Sequence, residues 1–257
     1  MVKIIHYCWF GGNPKSELIL KCIESWKKYC PDYKIIEWNE DNFDINCCEY
    51  VKEAYEAKKW AFVSDYCRFH VLYNQGGIYL DTDVELIKNL DGLSDCFVGF
   101  ESNHRVASGL IRAANKGDRI CKLMLESYSN DHFLNPDGSY NLMTVCDRET
   151  EILSNLGLKK NNSLQVVCNT TIYPKDYFCP YDFSTCQTNI TNNTRSIHLY
   201  AGTWYSPQED FAQKLRKKLN RFIPNSIAAK IAYVIALLKF KGFIKTLRII
   251  LKKIKKR

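Results

Sequence analysis

Apolar positions along the chain come in short runs and in helical stripes, and their order predicts the fold. Residues 2–8 (VKIIHYC) are rich in β-branched and aromatic side chains and stop at Gly11-Gly12-Asn13-Pro14, the signature of a buried strand followed by a loop. After Ser16, Leu18, Cys22, Ile23 and Trp26 recur at helical spacing, and Pro31-Asp32 interrupts before a second strand over 33–38. A β-α-β opening of this kind predicts an α/β domain with a doubly wound sheet. A polar loop over 39–46 precedes a helix over about 49–58. The stretch 62–73 is helical in spacing and ends at Gly76-Gly77, after which Ile78-Tyr79-Leu80 runs as a strand straight into Asp81-Thr82-Asp83. Strand-like and helix-like stretches at 96–100, 120–128, 164–168 and 196–200 continue the pattern to about Pro207.

Charge divides the chain where the pattern stops. Residues 1–210 hold 21 basic and 28 acidic side chains, net −7, whereas 211–257 hold 15 basic and none acidic. The formal net charge of +8 therefore describes neither part. This predicts an acidic domain over 1–208 and a cationic tail over 209–257. The start of the chain lacks an apolar run ending in a small-residue cleavage site, so no signal peptide is expected and the protein should work in the cytoplasm. Twelve cysteines occur without any Cys-x-x-Cys spacing, which fits small buried hydrophobes in a reducing compartment better than disulfides or zinc. In that compartment the Asn-x-Ser/Thr sequons at Asn161, Asn169, Asn189 and Asn192 carry no meaning.

The densest candidate chemistry is Asp81-Thr82-Asp83 after the apolar strand. A strand ending in Asp-x-Asp sets two carboxylates at the carboxyl edge of a sheet, where ligands of α/β folds bind. The pair repels itself unless a cation lies between, and Mg²⁺ or Mn²⁺ prefers such oxygen ligands. Solvated turn residues are the plain alternative. Upstream, Asp65 and Arg68 are three apart and share a helical face, either as ligands for sugar hydroxyls and phosphate oxygens or as an ordinary helical ion pair of little worth.

Four segments in order, Ile5-His6-Tyr7-Cys8-Trp9-Phe10-Gly11-Gly12, Ala61-Phe62-Val63-Ser64-Asp65-Tyr66-Cys67-Arg68, Gly76 to Asp83, and Ser196-Ile197-His198-Leu199-Tyr200-Ala201-Gly202-Thr203-Trp204, resemble the glycosyltransferases with an Asp-x-Asp sugar-binding region. That group includes bacterial capsular polysaccharide transferases, the yeast initiating mannosyltransferases of family 32 and, more distantly, the clostridial glucosylating toxins. The resemblance spans residues 1 to about 207. It implies a GT-A-like fold, a nucleotide-sugar donor (a UDP-sugar above all), a divalent cation (Mn²⁺ or Mg²⁺) and transfer with retention of configuration. Carried over, Asp81 and Asp83 would bind the metal and the ribose, with Asp83 the preferred direct ligand, and His198 would be the third metal ligand. Asp65, Arg68 and Asp83 would be the catalytic set. Trp9, Ser64, Asp65, Arg68, Tyr79, Asp81 and Trp204 would bind the donor, Trp9 by stacking on the base. Asn39 and Asn42 are lesser candidates, and Thr203 keeps a hydroxyl where the family often has Ser. Leu199 stands where a second His is common. Glu101, Asp131 and the stretch 106–116 are further candidates without a fixed role, and no nucleophile stands out.

Two other classes compete. Asp-x-Asp after a strand also resembles haloacid-dehalogenase-like phosphatases, with Asp81 as nucleophile, although position 85 is Glu and nothing there explains Asp65, Arg68 or His198. A non-enzymatic adaptor would act through the tail alone. On a helix, Phe243, Ile244, Leu247, Ile250, Leu251 and Ile254 gather within about 120° of arc opposite Lys245, Arg248, Lys252, Lys255 and Lys256. That pattern predicts an interfacial helix and, with the cations of the whole tail, contact with an anionic membrane surface through 211–257 rather than a nucleic-acid arm; a charged helix packed on its own domain is the plain alternative. Residues 231–238 are too short to span a bilayer. The sequence thus predicts a peripheral transferase at the inner face of the cell membrane, acting on a lipid-linked or growing surface glycan.

Overall fold

The first strand, β1 (Ile4–Cys8), and β2 (Lys34–Trp38) pair in parallel, with α1 (Glu17–Tyr29) between them in sequence. Along α1, Ile19, Cys22, Ile23 and Trp26 form one buried face, and that burial, more than intrinsic propensity, holds a helix of this length. The computed structural model describes residues 2–106, 111–182, 185, 187–202 and 207–255, with side chains to Arg248. The elements continue with α2 (Glu49–Glu56), α3 (Trp60–Gln75), β3 (Gly77–Leu80), β4 (Val84–Leu86), β5 (Phe97–Gly99), β6 (Ile111–Ala114), α4 (Arg119–Glu126) and α5 (Val145–Asn155). They end with β7 (Gln165–Val167), β8 (Thr170–Tyr173), β9 (Tyr181–Asp182), β10 (Gln187–Thr188), β11 (Ser196–His198), α6 (Pro207–Leu219) and α7 (Asn225–Lys255).

Among the described residues the main sheet runs in the order β2-β1-β3-β6-β5-β8-β7. The expected α/β class holds, but the sheet is mixed instead of the all-parallel doubly wound kind that its opening suggests: β6 is antiparallel to β3 and β5, and β7 to β8. The physical reason lies in the link from β5 to β6, whose described residues, 100–106, hold no helix. Antiparallel neighbours can be joined by a loop, whereas a parallel pair needs a crossover. Ile5 and Tyr7 of β1 and Ile78 and Leu80 of β3 pack with the α1 stripe on one side of the sheet. Cys8 and Tyr79 pack with Val51, Val63, Cys67 and Cys121 from α2, α3 and α4 on the other. The eleven described cysteines are all free thiols.

The turn from α3 into β3 depends on Gly76-Gly77. Both adopt positive φ (70° and 103°), and a Cβ on Gly77 would sit 2.7 Å from the Ile4 carbonyl oxygen, so only glycine fits. His6 locks the same corner. Trp38 Nε1 donates to its Nδ1 (3.1 Å), leaving Nε2 to donate to the Gly76 carbonyl (2.9 Å). Burial holds the pKa of this fully buried imidazole below its ordinary value.

The chain divides into two compact units, Met1–Pro180 with Ile190–Tyr200, and Tyr181–Asn189 with Ala201–Arg257. The limit expected at 208/209 falls inside α6. The second unit contains the β9–β10 hairpin and the paired helices α6 and α7, and α7 is broken at Gly242 (φ 73°, ψ 170°). No described helix is long and apolar enough to cross a membrane.

Candidate active site

Strand β3 carries the chain to Asp81, and the turn into β4 presents Asp83, with Val84 N–H donating to the Asp81 carbonyl (3.1 Å). The short strand β4 is held from two sides. On α1, Trp26 Nε1 donates to the Val84 carbonyl (2.7 Å) and Ser25 Oγ accepts from Leu86 N–H (2.9 Å). Strand β11 pairs with β4 in a register that sets His198 opposite Val84, and Leu199 N–H donates to the Asp83 carbonyl at 2.9 Å. Backbone pairing thus delivers His198 to Asp83 across more than a hundred residues of sequence, with Nε2 3.1 Å from Asp83 Oδ1.

Ligand atoms of Asp81, Asp83 and His198 all lie within 4.8 Å of one another. The Nδ1 atom of His198 is buried without a hydrogen-bond partner, an arrangement that is costly unless something else satisfies the ring. Two carboxylate oxygens and one imidazole make a donor set suited to Mn²⁺ and tolerable to Mg²⁺. The residues present fit a divalent cation. Burial pushes the Asp81 carboxyl up to about 6, with Arg68 opposing the rise and Asp83 adding to it. Tyr200, which carries no role of its own in the 196–204 motif, packs its ring 3.9 Å from that of His198, and its hydroxyl meets Cys179 Sγ at 2.9 Å.

Behind the triangle stands Arg68. Its guanidinium is buried, with Nη2 2.8 Å from Asp65 Oδ1, Nη1 3.3 Å from Asp81 Oδ1, and Nε donating to the Ser64 carbonyl (3.1 Å). It lies 4.6 Å from the Tyr79 ring, whose hydroxyl donates to Asp81 Oδ1 at 3.1 Å. Burial works against the charge on Arg68, but Asp81, Tyr79 and Asp65 outweigh it and the group stays ionised. The helical Asp65–Arg68 ion pair is thus present, but it is buried and extends into a clamp on the first aspartate. Asp65 is raised by its burial and held down by Arg68 and by the Val145 N–H at the start of α5. That helix start is capped by Thr144, which accepts from Asp147 N–H (3.2 Å). Thr144-x-x-Asp147 is a sequence pattern for a helix start; its link to Asp65 is purely tertiary.

The other candidates fall around this core. Trp9 follows β1, half-buried, with Nε1 donating to the Asn13 carbonyl (2.6 Å) and Lys15 Nζ 5.5 Å from its ring. Because β1 pairs directly with β3, Trp9 and Asp81 leave the same edge of the sheet. The Ser64 hydroxyl donates back to the Trp60 carbonyl (3.0 Å). Tyr79 is buried and reaches the site through its hydroxyl. Asn39 and Asn42 brace their own loop, with Asn42 Oδ1 accepting from Asn39 N–H at 2.9 Å. Glu101 pairs with Arg105, and Asp131 with Arg148. Of the stretch 106–116, residues 111–114 are the buried strand β6 and 107–110 lie outside the described residues. Thr203, Trp204 and Tyr205 lie outside them as well.

Residues 16–97 match the family model described as "Glycosyltransferase sugar-binding region containing DXD motif". The chain carries the sugar-binding region of a glycosyltransferase enzyme. The matched span includes Ser64, Asp65, Arg68, Tyr79, Asp81 and Asp83, whereas Trp9 and His198 lie beyond it. Among solved structures, one titled "PaToxG Glycosyltransferase" is 23% identical over 60% of this chain and 68% of its own, with a TM-score of 0.46. A second, a glycosyltransferase involved in the glycosylation of the major capsid of PBCV-1, is 10% identical over 77% of this chain and 94% of its own, with a TM-score of 0.38. No curated protein matches.

Proposed function

We propose that the protein is a metal-dependent, retaining glycosyltransferase of the GT-A-like kind. It would move a sugar from a nucleotide-sugar, a UDP-sugar by preference, to a lipid-linked or growing surface glycan. The observation that carries this reading is the Asp81–Asp83–His198 triangle at the end of β3, within and beside a matched sugar-binding region. Asp81, Asp83 and His198 would hold Mn²⁺ or Mg²⁺, which when bound neutralises the charge that develops on a leaving diphosphate.

The chain's own residues supply orientation. Arg68 and Tyr79 hold the Asp81 carboxylate in place from behind, so its outward oxygen meets the ligand without rearrangement. Trp9, on the adjacent strand end, offers an indole face to the base. Asp65 and Arg68 would contact the sugar. Asp65 is engaged by Arg68 and the start of α5, and Asp81 by Arg68 and Tyr79; this supports attack by the acceptor hydroxyl on the face of the leaving group, without a protein nucleophile. The acceptor is a glycan at the inner face of the cell membrane, on the strength of the cationic second unit. A screen of UDP-sugars with Mn²⁺, read as UDP release, tests the proposal; one or more donors should be hydrolysed, and a phosphatase activity on simple esters with no donor turnover would overturn it.

A further inference from the structure

The second unit exposes a surface that the donor chemistry does not use. Helix α6 and the first arm of α7, residues 225–241, pair as a hairpin. The Phe211 and Phe240 rings are 5.9 Å apart, Lys239 Nζ lies 4.1 Å from the Phe211 ring, and Arg216 Nε donates to Asn225 Oδ1 at 2.8 Å. On the first arm Ala228, Ala232 and Ala236 are buried, while Ile227, Ile231, Ile235 and Leu238 are exposed. Their spacing of four, four and three puts those exposed side chains on one stripe. Beyond the break at Gly242 the second arm exposes Phe243 (71%), Ile244 (68%) and Leu247, with Lys245 and Arg248 turned to other directions. Gly242 sits at φ 73° and ψ 170°, and a Cβ there would meet nothing within 4 Å. Its role is conformational: it breaks the helix where each arm already has its own apolar stripe.

Three occupants can be weighed for such a face. A second copy would bring two sets of fifteen cations together with no acid in residues 211–257 to offset them. A nucleic acid would neutralise the lysines and leave Phe243 and Ile244 in water. An anionic bilayer meets both needs, with acyl chains for the stripes and headgroups for the cations. We propose that both arms of α7, articulated at Gly242, form a two-part docking surface for an anionic lipid bilayer. The exposed stripe of the first arm thereby joins the amphipathic stripe that the sequence marks on the second, both within the tail over 211–257 expected at the membrane. This deepens the membrane part of the function proposed above and rests on that part alone, independent of the donor chemistry.

The test uses the full chain in vesicle flotation, with phosphatidylcholine vesicles alone or with about one third phosphatidylglycerol, and with UDP release followed in parallel. The wild-type protein should float only with the anionic vesicles. Ile231→Ser/Ile235→Ser on the first arm and Phe243→Ser/Ile244→Ser on the second should each lower partitioning by about tenfold or more, with helicity by circular dichroism and UDP release unchanged. No flotation with anionic vesicles, or flotation unaffected by either pair of substitutions, would overturn the proposal, as would a single-stranded RNA that outcompetes the vesicles. Because the wild-type lipid dependence needs no substitution, a variant that fails to fold leaves the proposal open to refutation. Wild-type protein that releases UDP but does not float with anionic vesicles condemns this surface only; wild-type protein that floats but releases no UDP condemns the transferase reading only.

Discussion

Two arginines are buried in the first unit, and their settings differ at one end. Arg112 on β6 lies opposite Tyr79 of β3 in the strand register, is fully buried, and pairs with Glu149 at 2.7 Å and Asp118 at 3.0 Å, both of them also buried. Arg68 likewise pairs with two carboxylates, but one of them, Asp81, keeps about a quarter of its side-chain surface open (26%). The first network is sealed and ties β6 to α4 and α5. The second is the same device with a door: it presents a fixed carboxylate at the sheet edge beside Asp83 and His198. A charge clamp becomes useful for binding when one partner stays accessible, because its orientation is then set before the ligand arrives.

Breaking each clamp should separate stability from activity. Arg112→Met strands Glu149 in the interior and should cost about 3–5 kcal/mol of stability, measured by urea denaturation, while the folded fraction keeps its rate of donor hydrolysis. A lost rate per folded molecule would mean that Arg112 is part of the site. Arg68→Lys retains the charge but not the planar fork, so donor hydrolysis should fall by about 10- to 100-fold with a much smaller loss of stability. Equal effects from the two substitutions would erase the distinction.

A smaller effect concerns His6, sealed like Arg112. Its folded pKa lies below the unfolded 6.5, so its contribution is complete above that value and is lost as pH falls through it. Asp65 and Asp81, raised by burial, act in the opposite sense and are common to wild type and variant. The stability gap between wild type and His6→Gln should therefore narrow between about pH 7.5 and 5.5; a gap that widens contradicts a neutral, buried imidazole.

Much of this was legible in the residues. The β-α-β opening, the helix carrying Asp65 and Arg68, and the strand ending at Asp81 follow from local periodicity and from glycines that only one backbone conformation explains. The reversed direction of β6 was not legible, because strand direction depends on what the connecting loop can span. Nor were Tyr200, or the Val145 N–H beside Asp65, since both contacts join segments distant in the chain. His198 was found by family likeness alone; its meeting with Asp83 comes from the β4–β11 register, which a three-residue strand does not announce. In the tail the sequence marked the amphipathic second arm, whereas the break at Gly242 and the stripe on the first arm needed the backbone.

In the proposed reading Asp81, Asp83 and His198 together hold a divalent cation. Titration of the protein with Mn²⁺, followed by the electron paramagnetic resonance of the free ion, measures this directly. One bound Mn²⁺ per chain is expected in the presence of UDP, weakened by about 10-fold or more in Asp83→Ala and in His198→Ala. Mn²⁺ binding that is absent from the wild-type protein, or the same in wild type and both variants, would contradict it.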